Sequence, residues 1–171
     1  MRPALQARVD VDGKGEATID TGVAVLDHLI GLLAGHASFD IALEVAPEDA
    51  ETEVAAAGRA LGEALAETLR DESRRGYGSA VVPADEALAH VALEASGRPL
   101  VVSNVDLSDA RVGGLGTDVV ARFLNEFAQG SALTLHVRLV EGEDPQHALE
   151  AIFKALGVAL GQATRTRRGK E

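Results

Sequence analysis

The sequence predicts an α+β fold in which one helix–strand–helix unit is used twice and the strands form sheets covered by helices. Three observations carry this. In the stretch Thr21–Val45, Val25, Leu29, Leu32 and Leu33 recur at helical steps, after which Phe39, Ile41, Leu43 and Val45 alternate with Asp40, Ala42 and Glu44 as in a half-buried strand. A second copy runs from Val119 to Leu139: a shift of 94 residues puts His28 on Arg122, Leu33 on Phe127, Ala34 on Ala128, and Ile41 and Leu43 on Leu135 and Val137. The following helices match at a shift of 95, with Arg59-Ala60-Leu61-Gly62 on Lys154-Ala155-Leu156-Gly157. Ordered self-similarity of this kind is the mark of a repeated unit.

The elements follow in order. Ala7–Val11, a turn at Asp12-Gly13-Lys14-Gly15, and Glu16–Asp20 predict an opening hairpin. Thr21-Gly22 is a turn into the first helix, with His28 and His36 towards its two ends and Gly35 marking its C-terminus. After the Phe39–Val45 strand and a loop at Ala46–Asp49, Thr52 is expected to cap a helix from Glu53 to Arg70. Asp71–Gly78 is expected to link the halves, set at 1–77 and 78–171, which together make one compact unit. Ser79–Pro83 and Ala87–Ala95 read as strands around an Asp85-Glu86 turn, Ser96–Pro99 as a turn, and Leu100–Leu107 as a strand. A glycine-containing loop, Asp109–Thr117, leads into the second helix–strand copy. The last helix is expected from Gln146 to Arg165, with a frayed basic tail beyond it.

Composition narrows the function. Of 171 residues 46% are hydrophobic but only 3% aromatic, so Ala, Val and Leu must fill the core. No run approaches the ~18 apolar residues of a membrane span, and the N-terminus has no apolar signal segment. A net charge of −11 disfavours a nucleic-acid partner. Without cysteine the chain has neither disulfides nor thiolate metal ligands. A soluble cytoplasmic protein is the expectation.

Five histidines are the chemistry-bearing residues: His28, His36, His90, His136 and His147. His147 and Glu150 are three apart on the last helix and share a face, a spacing used by metal ligands in helical bundles but also found on any amphipathic helix. His90 and His136 fall on strands as outward-facing residues. Asp85-Glu86 reads as a solvated turn, and Arg98 as a turn residue or a phosphate ligand.

Taken together, these segments resemble the imidazoleglycerol-phosphate dehydratases of histidine biosynthesis. The resemblance runs through Asp12-Gly13-Lys14-Gly15, Thr21-Gly22-Val23 with Leu26-Asp27-His28, Leu61-Gly62-Glu63-Ala64-Leu65 and Pro83 through Ala89. It continues through Ser96-Gly97-Arg98-Pro99, Arg111-Val112-Gly113 with Thr117, Leu133-Thr134-Leu135-His136 and Ile152 through Gly157. It implies a duplicated fold, a homo-oligomeric shell, two manganese ions bound at subunit interfaces, and dehydration of a small phosphorylated imidazole diol. Such chemistry needs a metal on the imidazole nitrogen to stabilise ring charge, a carboxylate as base and acid, and Arg or Lys for the phosphate. On this basis Glu150, Asp85 and Glu86 are the expected catalytic residues and Arg98, Thr117 and Lys154 the substrate-binding ones. His28, His36, His147, Glu150 and Glu51 are the expected metal ligands.

The chain departs from the family's His-His-x-x-Glu motifs. Where the resemblance places ligands, the sequence reads Glu51, Thr52 and Ala55 in the first motif, Gln146 in the second, and Arg122 on the helix of the second half. The substrate-contacting glutamate near the N-terminus falls on Arg2. The arginine before Tyr77-Gly78 is displaced, with Arg74 and Arg75 nearby, and only Lys170 is left to stand in for the family's tail. Arg122 is a fixed positive charge where a cation is expected, and Glu51 is its expected partner. Two readings stay open: a dehydratase of unusual type, and a family fold without catalysis that serves as an assembly, regulatory or other ligand-binding subunit.

Overall fold

The computed structural model describes residues 5–105, 111–112 and 115–167. Two sheets enclose a layer of four helices. The first sheet holds β1 (Leu5–Asp10), β2 (Ala17–Asp20) and β3 (Asp40–Val45) in the order β1-β3-β2. The second holds β4 (Tyr77–Ala84), β5 (Ala87–Glu94), β6 (Leu100–Ser103) and β9 (Thr134–Glu141) in the order β4-β5-β9-β6. A two-stranded ribbon, β7 (Arg111–Val112) with β8 (Leu115–Gly116), lies before the third helix.

The helices are α1 (Ala24–Ala37), α2 (Ala50–Arg70), α3 (Thr117–Ser131) and α4 (Pro145–Ala163). Each packs across the halves: α1 lies on α4, and α2 on α3. The α2–α3 crossing is close because Gly58 and Gly62 meet the backbone of Phe123 and Phe127, while Gly130 meets that of Arg59. All four phenylalanines, Phe39, Phe123, Phe127 and Phe153, are fully buried, with the Phe123 and Phe153 rings 5.5 Å apart.

The duplication is visible in strand sense as well as order. β3 pairs antiparallel with β1 and parallel with β2, and β9 pairs antiparallel with β5 and parallel with β6. Each sheet buries one face, Ile41, Leu43 and Val45 in the first and Ala89, Val91, Leu135 and Val137 in the second.

Several boundaries differ from expectation. β1 and β2 are not a hairpin, because β3 lies between them. The carboxylate of Asp40, at the start of β3, accepts the backbone N–H groups of Lys14 (2.8 Å), Gly15 (3.1 Å) and Glu16 (3.0 Å). These bonds, that of Glu16 foremost, hold the Asp40 carboxyl below its ordinary value, and they dock the 14–16 backbone on the start of β3, the strand that lies between β1 and β2. α1 runs past Gly35 to Ala37 and ends on Ser38 in the left-handed region (φ 59°), whose N–H reaches the Ala34 and Gly35 carbonyls. The cap of α2 is Asp49, three residues before the expected Thr52, and Thr52 is its donor through both N–H (2.9 Å) and hydroxyl (3.1 Å).

The link between halves closes by Gly76, since Tyr77 and Gly78 already belong to β4. β6 stops at Ser103. Within the expected 109–117 loop, the described residues form the β7–β8 ribbon and the start of α3. α4 ends at Ala163, two residues before the expected Arg165. The tail is anchored as far as Arg167. Arg75 N–H donates to the Arg165 carbonyl (2.8 Å), Arg167 N–H to that of Ser73 (2.7 Å), and the Arg74 guanidinium to that of Thr164 (2.9 Å). Arg2 and Lys170 lie outside the described residues.

Candidate active site

The N-terminal end of α4 gathers half of the candidate residues: His147, Glu150, His28, Asp85 and Glu86. Asp144 caps the helix through the N–H groups of Gln146 (2.8 Å) and His147 (3.4 Å), and Pro145 fills the first turn, where it has no N–H to leave unpaired. The two-residue turn Asp85-Glu86, with Asp85 at φ 53°, brings its carboxylates onto this helix end. One Glu86 oxygen accepts from the N–H groups of Glu143 (3.1 Å) and Asp144 (2.9 Å), and the other faces His147 Nδ1 at 2.7 Å. His147 Nε2 lies 3.3 Å from Asp85.

The electrostatics follow from these contacts. The Asp144 N–H, with help from His147, lowers the Glu86 carboxyl to about 2. Glu86 in turn raises His147 above its ordinary value, with Asp144 and Asp85 adding to the field. His147 is thus drawn towards its protonated form between two carboxylates.

One turn along α4, Glu150 turns to a different partner. Its carboxylate lies 3.1 Å from His28 Nε2 of α1 and accepts from the Gln146 amide at 3.3 Å. Across the molecule, Arg122 of α3 donates to Glu51 of α2 at 2.9 Å. Both pairs join one half of the chain to the other.

The structure brings His28 to Glu150, and His147 to Asp85 and Glu86, but leaves the other candidates elsewhere. His36 is eight residues beyond His28 on α1, about 12 Å along the axis, and its Nδ1 faces the Leu32 carbonyl at 2.9 Å. Arg98 lies in an exposed turn beside Thr134, while the Asp85-Glu86 turn lies beside Glu141 at the other end of β9, roughly 20 Å away along the strand. Lys154 is half-buried one turn beyond Glu150. Thr117 opens α3. His90 and His136 are on the outer face of the second sheet, with His90 Nε2 2.9 Å from the Ser79 hydroxyl. Among the described residues no group of three or more His, Asp or Glu side chains is gathered as a metal site. The Gln146–Glu150 bond and the Asp144 cap were not anticipated, although Asp-Pro before an apolar helical run is a legible helix start.

A sequence profile described as imidazoleglycerol-phosphate dehydratase matches residues 21–160. The chain belongs to the imidazoleglycerol-phosphate dehydratase family. It is 46% identical over 165 residues to the imidazoleglycerol-phosphate dehydratase of Syntrophobacter fumaroxidans, covering 94% of this chain and 84% of that one. It is 40% identical to that of Acetivibrio thermocellus, covering 92% and 83%. The crystal structure of the Staphylococcus aureus dehydratase superposes with a TM-score of 0.89 at 33% identity, covering 97% and 96% of the two chains. That from Pyrococcus furiosus gives 0.84 at 29%, covering 100% and 96%. The fold expected from the internal repeat is the family's fold, and the family is one of histidine biosynthesis.

Proposed function

We propose that this chain is a dehydratase-family protein whose manganese-dependent turnover of imidazole glycerol phosphate is lost or lowered by orders of magnitude. The observation that carries this is the bond from Arg122 to Glu51 at 2.9 Å, made between two positions where the resemblance places metal ligands. Ala55, one turn along α2 from Glu51, offers no donor, and Arg122 brings a charge that repels a cation. Manganese prefers about six oxygen and nitrogen donors per ion. Glu51, Thr52, Ala55, Arg122 and Gln146 do not fit a two-ion centre of that kind. Assayed with manganese beside a relative such as the Staphylococcus aureus enzyme, the chain is expected to turn over at least about a thousandfold more slowly, roughly 4 kcal/mol of lost transition-state stabilisation. A comparable rate would overturn the proposal.

A working dehydratase of unusual type is the second reading. It is favoured by the contact of His28 with Glu150, by His147 and Lys154 on the same helix, and by the names of the relatives. In that reading Glu150, Asp85 and Glu86 act on protons, Arg98, Thr117 and Lys154 hold the substrate, and the phosphate end is completed by another copy, since Arg98 is far from Glu86 within one chain. In the first reading the chain is a non-catalytic assembly, regulatory or ligand-binding subunit.

Under either reading the chain is proposed to be a cytoplasmic homo-oligomer built from halves 1–77 and 78–171. Among the described residues the exposed large apolar side chains, Tyr77, Val81, Leu100, Val102 and Val140, all lie on the second sheet, which supports self-association. No helix among the described residues is long and apolar enough to cross a membrane.

A further inference from the structure

The duplication supplies an internal comparison. At the shifts of 94 and 95, Arg122 stands for His28, Glu51 for Gln146, and Ala55 for Glu150. Both sets lie where the first helix of one half packs on the second helix of the other, α1 on α4 and α3 on α2. At the α1–α4 locus the carboxylate is the later residue of the i, i+4 pair: Glu150 meets His28 at 3.1 Å, and Gln146 donates to it. At the α3–α2 locus the later residue is Ala55 and the carboxylate stands one turn earlier, as Glu51. The longer Arg122 side chain spans that extra distance and donates at 2.9 Å. A nitrogen side chain on the first helix is thus clasped by a carboxylate on the second at both loci, with the carboxylate moved one turn to suit the side chain that meets it.

The two loci differ in charge. An imidazole can be neutral and present a lone pair, as a metal ligand must, whereas a guanidinium is always protonated and has no acceptor. Arg122 therefore holds a fixed positive charge 2.9 Å from Glu51. A second crossing of the same type lies along the same helices, where Arg59 of α2 reaches Glu126 of α3 at 3.4 Å and Glu63 of its own helix at 3.2 Å.

We infer that Arg122 is the resident cation of the α3–α2 locus, so that this half of the duplicated site excludes divalent metal and is clasped by fixed charge whatever the metal supply. The inference shares the Arg122–Glu51 bond with the proposed function and takes from it the choice of manganese as the ion to test. It is read by binding and not by turnover, so the two fail separately. A chain with normal turnover overturns the proposed function, and manganese at Glu51 and Arg122 overturns this inference.

The test is manganese titration of the full-length protein by calorimetry, by thermal midpoint, and by paramagnetic broadening of assigned amide resonances. In the unmodified chain the amides around Glu51 and Arg122 are expected to remain sharp as manganese is added. The double variant Arg122→His with Ala55→Glu places an imidazole and two carboxylates at this locus. It is expected to bind manganese at least about tenfold more tightly than the unmodified chain and to gain thermal stability with the ion, as linkage requires. Broadening at Glu51 and Arg122 in the unmodified chain, or a folded double variant that binds no more tightly, would overturn the inference. If the double variant does not fold, Arg122→Gln serves: it is expected to broaden at Glu51 at lower manganese than the unmodified chain, and equal behaviour counts against the inference.

Discussion

Replacing Gly62 of α2 by alanine tests how the two halves are held together. An added Cβ would sit 2.4 Å from the Phe127 carbonyl oxygen, 2.9 Å from the Ser131 nitrogen and 3.2 Å from the Gly130 carbonyl carbon. All three are backbone atoms of α3, so no rotamer change relieves the contact and the helices must part. The helices are as close one turn away, where a Cβ added at Gly58 would sit 2.5 Å from the Phe123 carbonyl oxygen. Overpacking typically costs 1–3 kcal/mol, and a rigid backbone neighbour argues for the upper end. Alanine's better helix propensity returns about 1 kcal/mol. The net expectation is a loss of about 2 kcal/mol, or roughly 4–8 °C in thermal midpoint for a chain of this size. Gly31 of α1 is the control, since its added Cβ meets nothing within 4 Å. Gly31→Ala is therefore expected to raise stability by up to about 1 kcal/mol. Chemical denaturation of both variants, each checked for an unchanged m-value, measures the two effects. Equal signs for the two substitutions, or a stabilising Gly62→Ala, would refute the close α2–α3 crossing.

Two more predictions concern single side chains. Glu86→Gln removes the main cause of the raised His147 value, so an NMR titration of the His147 ring should show its midpoint falling, and an unmoved midpoint would deny the contact. The pH dependence follows from the same pair. The His147 contribution is complete below its ordinary value of 6.5 and is lost as pH rises through the raised one, while the Glu86 contribution is present above 4.5 and is lost as pH falls through about 2. Thr21, fully buried, bonds through its hydroxyl to the Asp27 carboxylate and accepts from the Val23 N–H at 3.1 Å. Thr21→Val should cost about 1–3 kcal/mol by unpairing those groups, and denaturation with no change in midpoint would contradict it.

The parts of the fold legible in the sequence are those set by local periodicity. Leu29, Leu33, Ile41 and Leu43 announce their helix and strand because each buried row repeats at the period of its own backbone. The opening hairpin failed because its fate depends on Asp40, a residue far along the chain whose three backbone donors dock the 14–16 backbone on the start of β3. Caps were misplaced by three residues at both Asp49 and Ser38. Several polar residues at a helix end can serve as a cap, and only the backbone dihedrals decide among them. At the site, the shared face of His147 and Glu150 was legible from spacing. Their divergence was not, because the Asp85-Glu86 turn reaches His147 from the second sheet. The Arg122–Glu51 pair was legible for a different reason: the family resemblance placed both residues at metal-ligand positions, and the repeat arithmetic had put Arg122 on His28, before any distance was known.

That arithmetic also shows where a duplicated fold is free to change. Ile41 and Leu43 face the helices, and their counterparts Leu135 and Val137 remain apolar and buried, because packing density leaves little choice of volume. On the outward faces of the same strands, Ala42 answers to His136 and Glu44 to Arg138. Strand register then makes Arg8 answer to Ala92 and Thr18 to Val102. Charge is reversed between Glu44 and Arg138 and removed between Arg8 and Ala92, while the other two pairs change polarity. Among the described residues the exposed large apolar side chains have gathered on one sheet, while the other keeps Arg8, Asp20 and Glu44. The two clasps between the halves lie between these extremes. They are tied down at one end by helix packing and open to solvent at the other, so the geometry of a nitrogen meeting a carboxylate is kept while the residues that build it differ. Under the proposed function, a site composed from both halves loses its metal chemistry in one half while keeping the contact that holds the halves together.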